Sequence, residues 1–196
     1  MRSLNKYAIF CMELLRNINI PFEEPKTWTV NTRATRRWGQ CRRRYNGYYY
    51  AYEYHINISS LLLDERASEK DLIETILHEL IHTCPGCMNH GHEWKTYADV
   101  VNRKYGYNIS RLKKGEEESA ALMIENKKAN ANYVCVCEKC GHEFFYSRRC
   151  GVIENPSRYT HTKCGGHLKL KASKKQIYAH SGWWNKNVTA DYKVIN

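Results

Sequence analysis

No stretch of this 196-residue sequence stays apolar for the roughly 20 residues that a helix needs to cross a bilayer, so no transmembrane helix is expected. The N-terminal segment MRSLNKYAIFCMELLRN is interrupted by Glu13 and Arg16 and has no small-residue cleavage site, so no secretory signal is expected either. No internal repeat is present, which sets repeat architectures aside. Acidic residues are scarce: 20 Asp+Glu face 31 Lys+Arg, a net charge of +11. The shortage is local. Residues 1–126 hold 18 basic and 16 acidic residues, whereas residues 127–196 hold 13 basic and 4 acidic, a net +9. A tail of that kind points to a polyanion, most often nucleic acid; a lysine-coated soluble surface is the bland alternative.

What is present in quantity is apolar surface and cysteine. At 42% hydrophobic residues the chain is not disordered throughout, and its length suits one ordinary domain plus a small satellite. Nine cysteines without an export signal read as metal ligands before disulfides, and the odd count leaves at least one thiol outside any complete pairing. A reducing, cytoplasmic setting follows, at the nucleoid if the source is bacterial.

Periodicity supplies the organisation. Leu4, Ala8, Cys11, Leu15 and Ile18 recur at helical spacing and predict a helix over 3–18. Residues 27–38 and 40–59 read as strands, with Asn46-Gly47 as a hairpin turn. Tyr48, Tyr50, Tyr52, Tyr54, Ile56 and Ile58 share one face of the second strand, and the tyrosines are assigned to sheet packing rather than base stacking. Ser68-x-x-Asp71 resembles a capping box opening a broad apolar helix over 69–83, which Pro85-Gly86 ends. A further helix is expected over 91–105, with Trp94, Ala98 and Val101 inward and Gly106 at its end. The polar stretch 107–131 reads as a short helix plus linker. The expected domains are 1–126 and 127–196.

His78-Glu79-Leu80-Ile81-His82 is an H-E-x-x-H motif inside a predicted helix. Positions i and i+4 share a face, so both imidazoles can reach one Zn²⁺. Glu79 beside them can take a proton from a zinc-bound water. A catalytic zinc uses three protein ligands and an open position, and His90 and His92 are the candidates for the third ligand. Farther on, Cys137-x-x-Cys140 and His161-x-x-Cys164 are two knuckles whose four donors suit a closed, structural Cys₃His zinc site, with Cys135 or Cys150 as alternative donors. Basic residues around them, including Arg148, Arg149, Lys169, Lys171, Lys174 and Lys175, interleave with aromatics. Trp183 and Trp184 are candidates for stacking on bases, while for Phe144 and Phe145 covering the small core is at least as good a reading as stacking. Cys84-Pro-Gly-Cys87 is read as a structural loop. Arg42-Arg43-Arg44, with Arg36 and Arg37, is either a nucleic-acid contact or a solvated strand end.

The segment HELIHTCPGCMNHGHEWKTYA resembles the active-site segment of the SprT-like metallopeptidase family. That family follows its H-E-x-x-H helix with a loop and then H-G-x-x-W/F. The resemblance places the third ligand at His90, before Gly91, with Trp94 as the aromatic position and His92 on a variable one. Arg36-Arg37-Trp38-Gly39-Gln40-Cys41 and the strand ending INISSLLL also resemble the family's sheet. The resemblance implies an α+β fold: a small zincin-type domain with an antiparallel or mixed sheet packed on helices, followed by a C-terminal zinc ribbon. His161 departs from the cysteine that usually opens the family's second knuckle. The implied activity is zinc-dependent endopeptidase action on DNA-associated or DNA-crosslinked proteins. The implied cofactors are one catalytic and one structural Zn²⁺, and the implied partners are DNA, without sequence preference, and proteins bound to it. The alternative is a non-catalytic zinc protein that binds nucleic acid and closes its first metal site with a thiolate from Cys84 or Cys87.

Overall fold

The computed structural model describes residues 1–34, 37–47, 52–112 and 115–173. They fall into two compact units that divide at Met123/Ile124.

The first unit is built around a helix with almost no solvent face. Helix α1 (Leu4–Arg16) buries Leu4, Ala8, Cys11, Met12 and Leu15. Strands β1 (Thr27–Asn31), β2 (Gly39–Tyr45) and β3 (Tyr52–Ser59) make a mixed sheet in the order β1-β3-β2. The first strand lies parallel to β3 and the second antiparallel to it. The stretch predicted as strand over 27–38 is extended only to Asn31. The next predicted strand is two strands, Gly39–Tyr45 and Tyr52–Ser59; of the predicted turn, Gly47 takes φ +83°, and residues 48–51 lie outside the described ones. Strand β3 keeps the predicted alternation: Tyr54, Ile56 and Ile58 are buried, and Glu53, His55 and Asn57 between them are only partly covered.

Helix α2 (Glu69–Ile81) is buried at Leu72, Ile73, Ile76, Leu77, Leu80 and Ile81, and also at Asp71, Glu74, Thr75 and Glu79. A helix that is covered all round belongs in a core, and each buried polar group on it needs a partner. Those partners are loops. Asp71 Oδ2 accepts from the Glu116 backbone N–H at 2.7 Å, and Glu74 Oε1 accepts from the Asn108 N–H at 2.7 Å. The Glu79 carboxylate accepts from the Cys41 backbone. Half of the predicted capping box forms: Ser68 Oγ accepts from Asp71 N–H at 3.3 Å, while the Ser68 N–H donates to Ser119 instead of to Asp71. Asp71 is drawn away because its carboxylate fastens residue 116.

Helix α3 (His92–Tyr105) turns Trp94, Ala98 and Val101 inward and stops at Gly106, whose left-handed φ of +73° suits a glycine C-cap. Helix α4 (Glu117–Ala129) occupies part of the predicted linker and runs across the division between the units. In the second unit β4 (Tyr133–Cys137) lies between β5 (Glu143–Tyr146) and β6 (Leu168–Ser173), antiparallel to both, with the short helix α5 (Gly151–Glu154) between β5 and β6 in sequence. The described residues therefore form a mixed α+β structure. None of their helices is long and apolar enough to cross a membrane.

Candidate metal centres

His78 and Glu79 sit in the last turn of α2, and His82 caps it with helical dihedrals, so the i, i+4 relation survives the helix end. His90 comes from the loop before α3. The ligand nitrogens of His78, His82 and His90 all lie within 4.8 Å of one another. His90 Nε2 is 3.0 Å from His78 Nε2. His92 begins α3 and is not part of the group, which places the third imidazole at His90.

The ring tautomers are set from behind. His82 Nδ1–H donates to the Cys87 carbonyl at 2.7 Å, which leaves Nε2 with its lone pair facing the cluster. The His78 ring hydrogen-bonds to the backbone of Ser110. Trp94, 2% exposed, floors the site, with its ring centroid 4.7 Å from His78, 5.6 Å from His82 and 4.6 Å from His90. Burial holds all three imidazoles below their ordinary pKa. His78 is lowered to about 3 by desolvation and by the neighbouring rings, so the neutral, metal-binding form prevails. Converging lone pairs on neutral rings repel unless a cation lies between them. This donor set fits Zn²⁺, which takes imidazole nitrogen at about 2.0–2.1 Å.

Glu79 lies beside this cluster, 6% exposed, and burial pushes its carboxyl up to about 7 against the opposing pull of the Cys41 N–H and Arg37. Its place is fixed by Gly39. A Cβ on that residue would stand 2.6 Å from Glu79 Oε1, 2.8 Å from Glu79 Cγ and 2.9 Å from Thr75 Cγ2. A cleft of about 240 Å³ opens here, lined by Arg37, Trp38 and Gly39, by Ile109, Ser110, Arg111 and Leu112, and by His78 and Glu79 of α2 and their neighbours. Cys84 and Cys87 are buried, and neither belongs to the three-imidazole group. Cys87 serves through its carbonyl.

In the second unit Cys137, Cys140, His161 and Cys164 converge. Cys140 Sγ and Cys164 Sγ are 3.4 Å apart, and His161 Nδ1 lies 3.2 Å from Cys140 Sγ and 3.3 Å from Cys164 Sγ. Cys137 Sγ is 3.5 Å from Cys164 Sγ. Four donors facing one point fit a closed tetrahedral zinc shell, with Zn–S near about 2.3 Å. Gly141 and Gly165 follow their knuckles with φ +71° and +69°, and a Cβ on Gly166 would stand 2.6 Å from Cys137 Sγ. Cys135 and Cys150 are not among the four. Phe144 packs on His161 at 5.2 Å between centroids, in keeping with a covering role.

Of the predicted nucleic-acid contacts, Arg148 and Arg149 are exposed after β5, and Lys169 and Lys171 share one face of β6. Arg149, Lys169 and Lys171 are engaged with Glu154, Glu138 and Glu143. Lys174, Lys175, Trp183 and Trp184 lie outside the described residues, as do Arg36, Tyr48 and Tyr50.

Gly39, the Cys41 N–H, the Cys87 carbonyl and the 109–112 cleft wall were not legible as site residues. A glycine beside Trp38 and a carbonyl in a loop carry no side-chain signal. The 107–112 segment reads as polar linker until Glu74 and Asn102 are seen to pin it, the latter bonding Ile109 through both amide atoms.

A helix carrying two imidazoles that could hold a metal and a buried carboxylate, with a third imidazole from the next loop, makes a candidate metal centre. The family profile described as the SprT-like family matches residues 12–113, just over half of the chain, and the protein belongs to that family. A comparison with curated proteins found no match. Membership supports a zinc-metallopeptidase type of role.

Proposed function

We propose that this protein is a zinc-dependent endopeptidase that cleaves proteins associated with or crosslinked to DNA. The carrying observation is the three-imidazole cluster with Glu79 buried at its side and a cleft beside it. His78, His82 and His90 would hold Zn²⁺, which supplies Lewis acidity for a peptide carbonyl and acidifies water.

Glu79 does the proton work. Its carboxyl, raised to about 7 by burial before any cation is near, is poised to accept a proton from attacking water and return it to the leaving amine nitrogen. The Cys41 N–H and the absence of a side chain at Gly39 hold that carboxylate in place. Strand β2 is an edge of its sheet, and its inward residues Gly39 and Cys41 abut Glu79, so an extended polypeptide can pair along it through main-chain hydrogen bonds. That mode of binding is indifferent to sequence, as a protease for varied DNA-bound proteins requires.

The DNA part of the reading rests on the +9 charge of residues 127–196 and on family resemblance. Tethering on DNA raises the effective concentration of bound substrates. The test compares wild type and Glu79→Gln on a protein bound to DNA and on the same protein free. Activity in the wild type alone, faster with DNA, is expected. Equal activity in the two proteins would remove the mechanism, and indifference to DNA would remove the tethering. The second reading, a non-catalytic zinc protein, needs a thiolate at the fourth position, and no cysteine joins the three imidazoles among the described residues.

A further inference from the structure

The cleft beside His78 and Glu79 is lined by two arginines, Arg37 and Arg111. They come from two segments that other contacts hold still. Arg37 precedes Trp38, whose carbonyl accepts from the Ser59 N–H at 2.7 Å, and Gly39 then opens β2. Arg111 follows Ser110, whose backbone meets the His78 ring, and Ile109, which Asn102 bonds through both amide atoms at 3.0 and 2.7 Å. Both arginines are exposed, and among the described residues neither makes an ion pair or a hydrogen bond. Their charge reaches the imidazole cluster and its carboxylate. Burial raises the Glu79 carboxyl, and the Cys41 N–H and Arg37 pull against it; burial and His82 lower His90, and Arg111 adds to that. The carboxylates in the lining are Glu79 itself and Glu74, which is buried and accepts from the Asn108 N–H at 2.7 Å. Two guanidinium groups thus face the cleft with no carboxylate bound to either.

We propose that Arg37 and Arg111 are specificity-determining residues, which select polypeptide segments carrying Asp or Glu next to the bond to be cut. This rests on the peptidase reading and names the side-chain class that the site prefers. A guanidinium fork meets a carboxylate through two parallel N–H donors and keeps its charge throughout the working pH range. In a cleft partly closed to water such a bond is worth more than on an open surface. At about 240 Å³ the cleft has room for the side chains beside one bond and not for a folded body. It lies against the carboxylate that would take the proton, where the substrate polypeptide itself must pass. A basic side chain in the same place meets two like charges, which adds repulsion to lost attraction. Main-chain pairing along β2 is common to all peptides, so the preference is graded and not exclusive.

The experiment uses the full zinc-loaded chain and quenched fluorescent peptides, alanine-rich and identical except at their two central residues. Those residues are both glutamate, both glutamine or both lysine, and mass spectrometry locates the cut. The wild type should cut the glutamate peptide beside the central pair, with kcat/KM about tenfold above the glutamine peptide and the lysine peptide slowest. Arg37→Gln/Arg111→Gln should bring the glutamate and glutamine peptides within about twofold of each other, and Arg37→Glu/Arg111→Glu should favour the lysine peptide. Lys104→Gln/Arg158→Gln, which loses the same charge away from the cleft, should keep the wild-type ranking. Zinc content and circular dichroism show that each variant keeps its metal and fold. In a second arm, zinc-loaded Glu79→Gln binds the same peptides, read by anisotropy, and the same ranking is expected. A preference that survives Arg37→Gln/Arg111→Gln, or that falls equally in Lys104→Gln/Arg158→Gln, would overturn the proposal. So would a loss of kcat equal for all three peptides, which marks a general role in the reaction. Displacement of the glutamate peptide by oligothymidylate of equal charge would assign the arginines to phosphate and overturn it too. Ranked binding without hydrolysis by the wild type would uphold the acidic selection and remove the peptidase reading alone.

Discussion

The imidazole cluster at the end of α2 and the four-donor cluster around Cys137 differ first in what holds them. The three imidazoles hang on a helix buried all round and on a loop packed over Trp94. Their scaffold is assembled from Leu72, Ile76, Leu77, Leu80, Ile56, Ile58 and the α1 leucines, contacts that need no ion. The second cluster is held by two turns between short strands, in a unit whose buried apolar set among the described residues is small: Ala131, Val134, Ile153, Leu168 and Ala172 with a few cysteines. A described core of that size is small against chain entropy, and on the reading proposed above an ion held by the four donors would supply folding energy there. Three donors would leave a zinc ion an open position for chemistry, and four would leave none.

The largest effect that can break this contrast comes from removing one donor from each cluster. Cys140→Ser should abolish amide-exchange protection across β4–β6, since structural zinc contributes on the order of 10 kcal/mol to small metal-folded units. His90→Ala should leave protection in α1 and α2 intact while removing one equivalent of zinc. Hydrogen exchange with metal analysis reads both. Protection in β4–β6 that survives Cys140→Ser would end the claim that the second ion is structural.

Next in size is Gly39→Ala. A Cβ only 2.6 Å from Glu79 Oε1 must displace the carboxylate, and a displacement near 1 Å costs about 10²-fold in rate. The expected result is kcat/KM on a denatured protein substrate lowered by 10- to 100-fold with zinc content unchanged. Wild-type turnover would show that the close contact at Gly39 does not position the base.

The smallest effect is on stability and has a pH signature. Burial holds Glu79 protonated up to about 7, whereas the unfolded chain ionises near about 4.3. Between those values the folded state binds the extra proton, so raising the pH through that window destabilises the metal-free protein. Glu79→Gln removes that loss. The chelated variant should melt above the chelated wild type at pH 8, by at most about 4 kcal/mol of stability, and the gap should close near pH 4. The buried imidazoles tilt both proteins the other way, toward lower stability as pH falls below about 6.5, and so cancel in the comparison. Equal melting at pH 8 would contradict the raised carboxyl.

The same contrast explains what the sequence disclosed. Groups with fixed spacing were legible: His78 and His82, with Glu79 between them, from the helical repeat, and Cys137, Cys140, His161 and Cys164 from their knuckles. Helices α1, α2 and α3 were legible because apolar period and end signals agree, as at Ser68 and Gly106. What escaped was whatever depends on a distant element. Asp71 completes no box because residue 116 takes its carboxylate. The cleft wall at 109–112 is placed by Glu74 and Asn102, and Tyr52 is exposed because the hairpin extends past the core. None of these has a local pattern; each is set by where another segment ends.

The most direct test of the central claim is a crystal structure of the intact protein with anomalous data at the zinc edge. The account predicts a peak about 2.0–2.1 Å from ring nitrogens of His78, His82 and His90, with a fourth position held by solvent on the Glu79 side. An empty cluster in zinc-replete protein, or a sulfur from Cys84 or Cys87 in that fourth position, would contradict it.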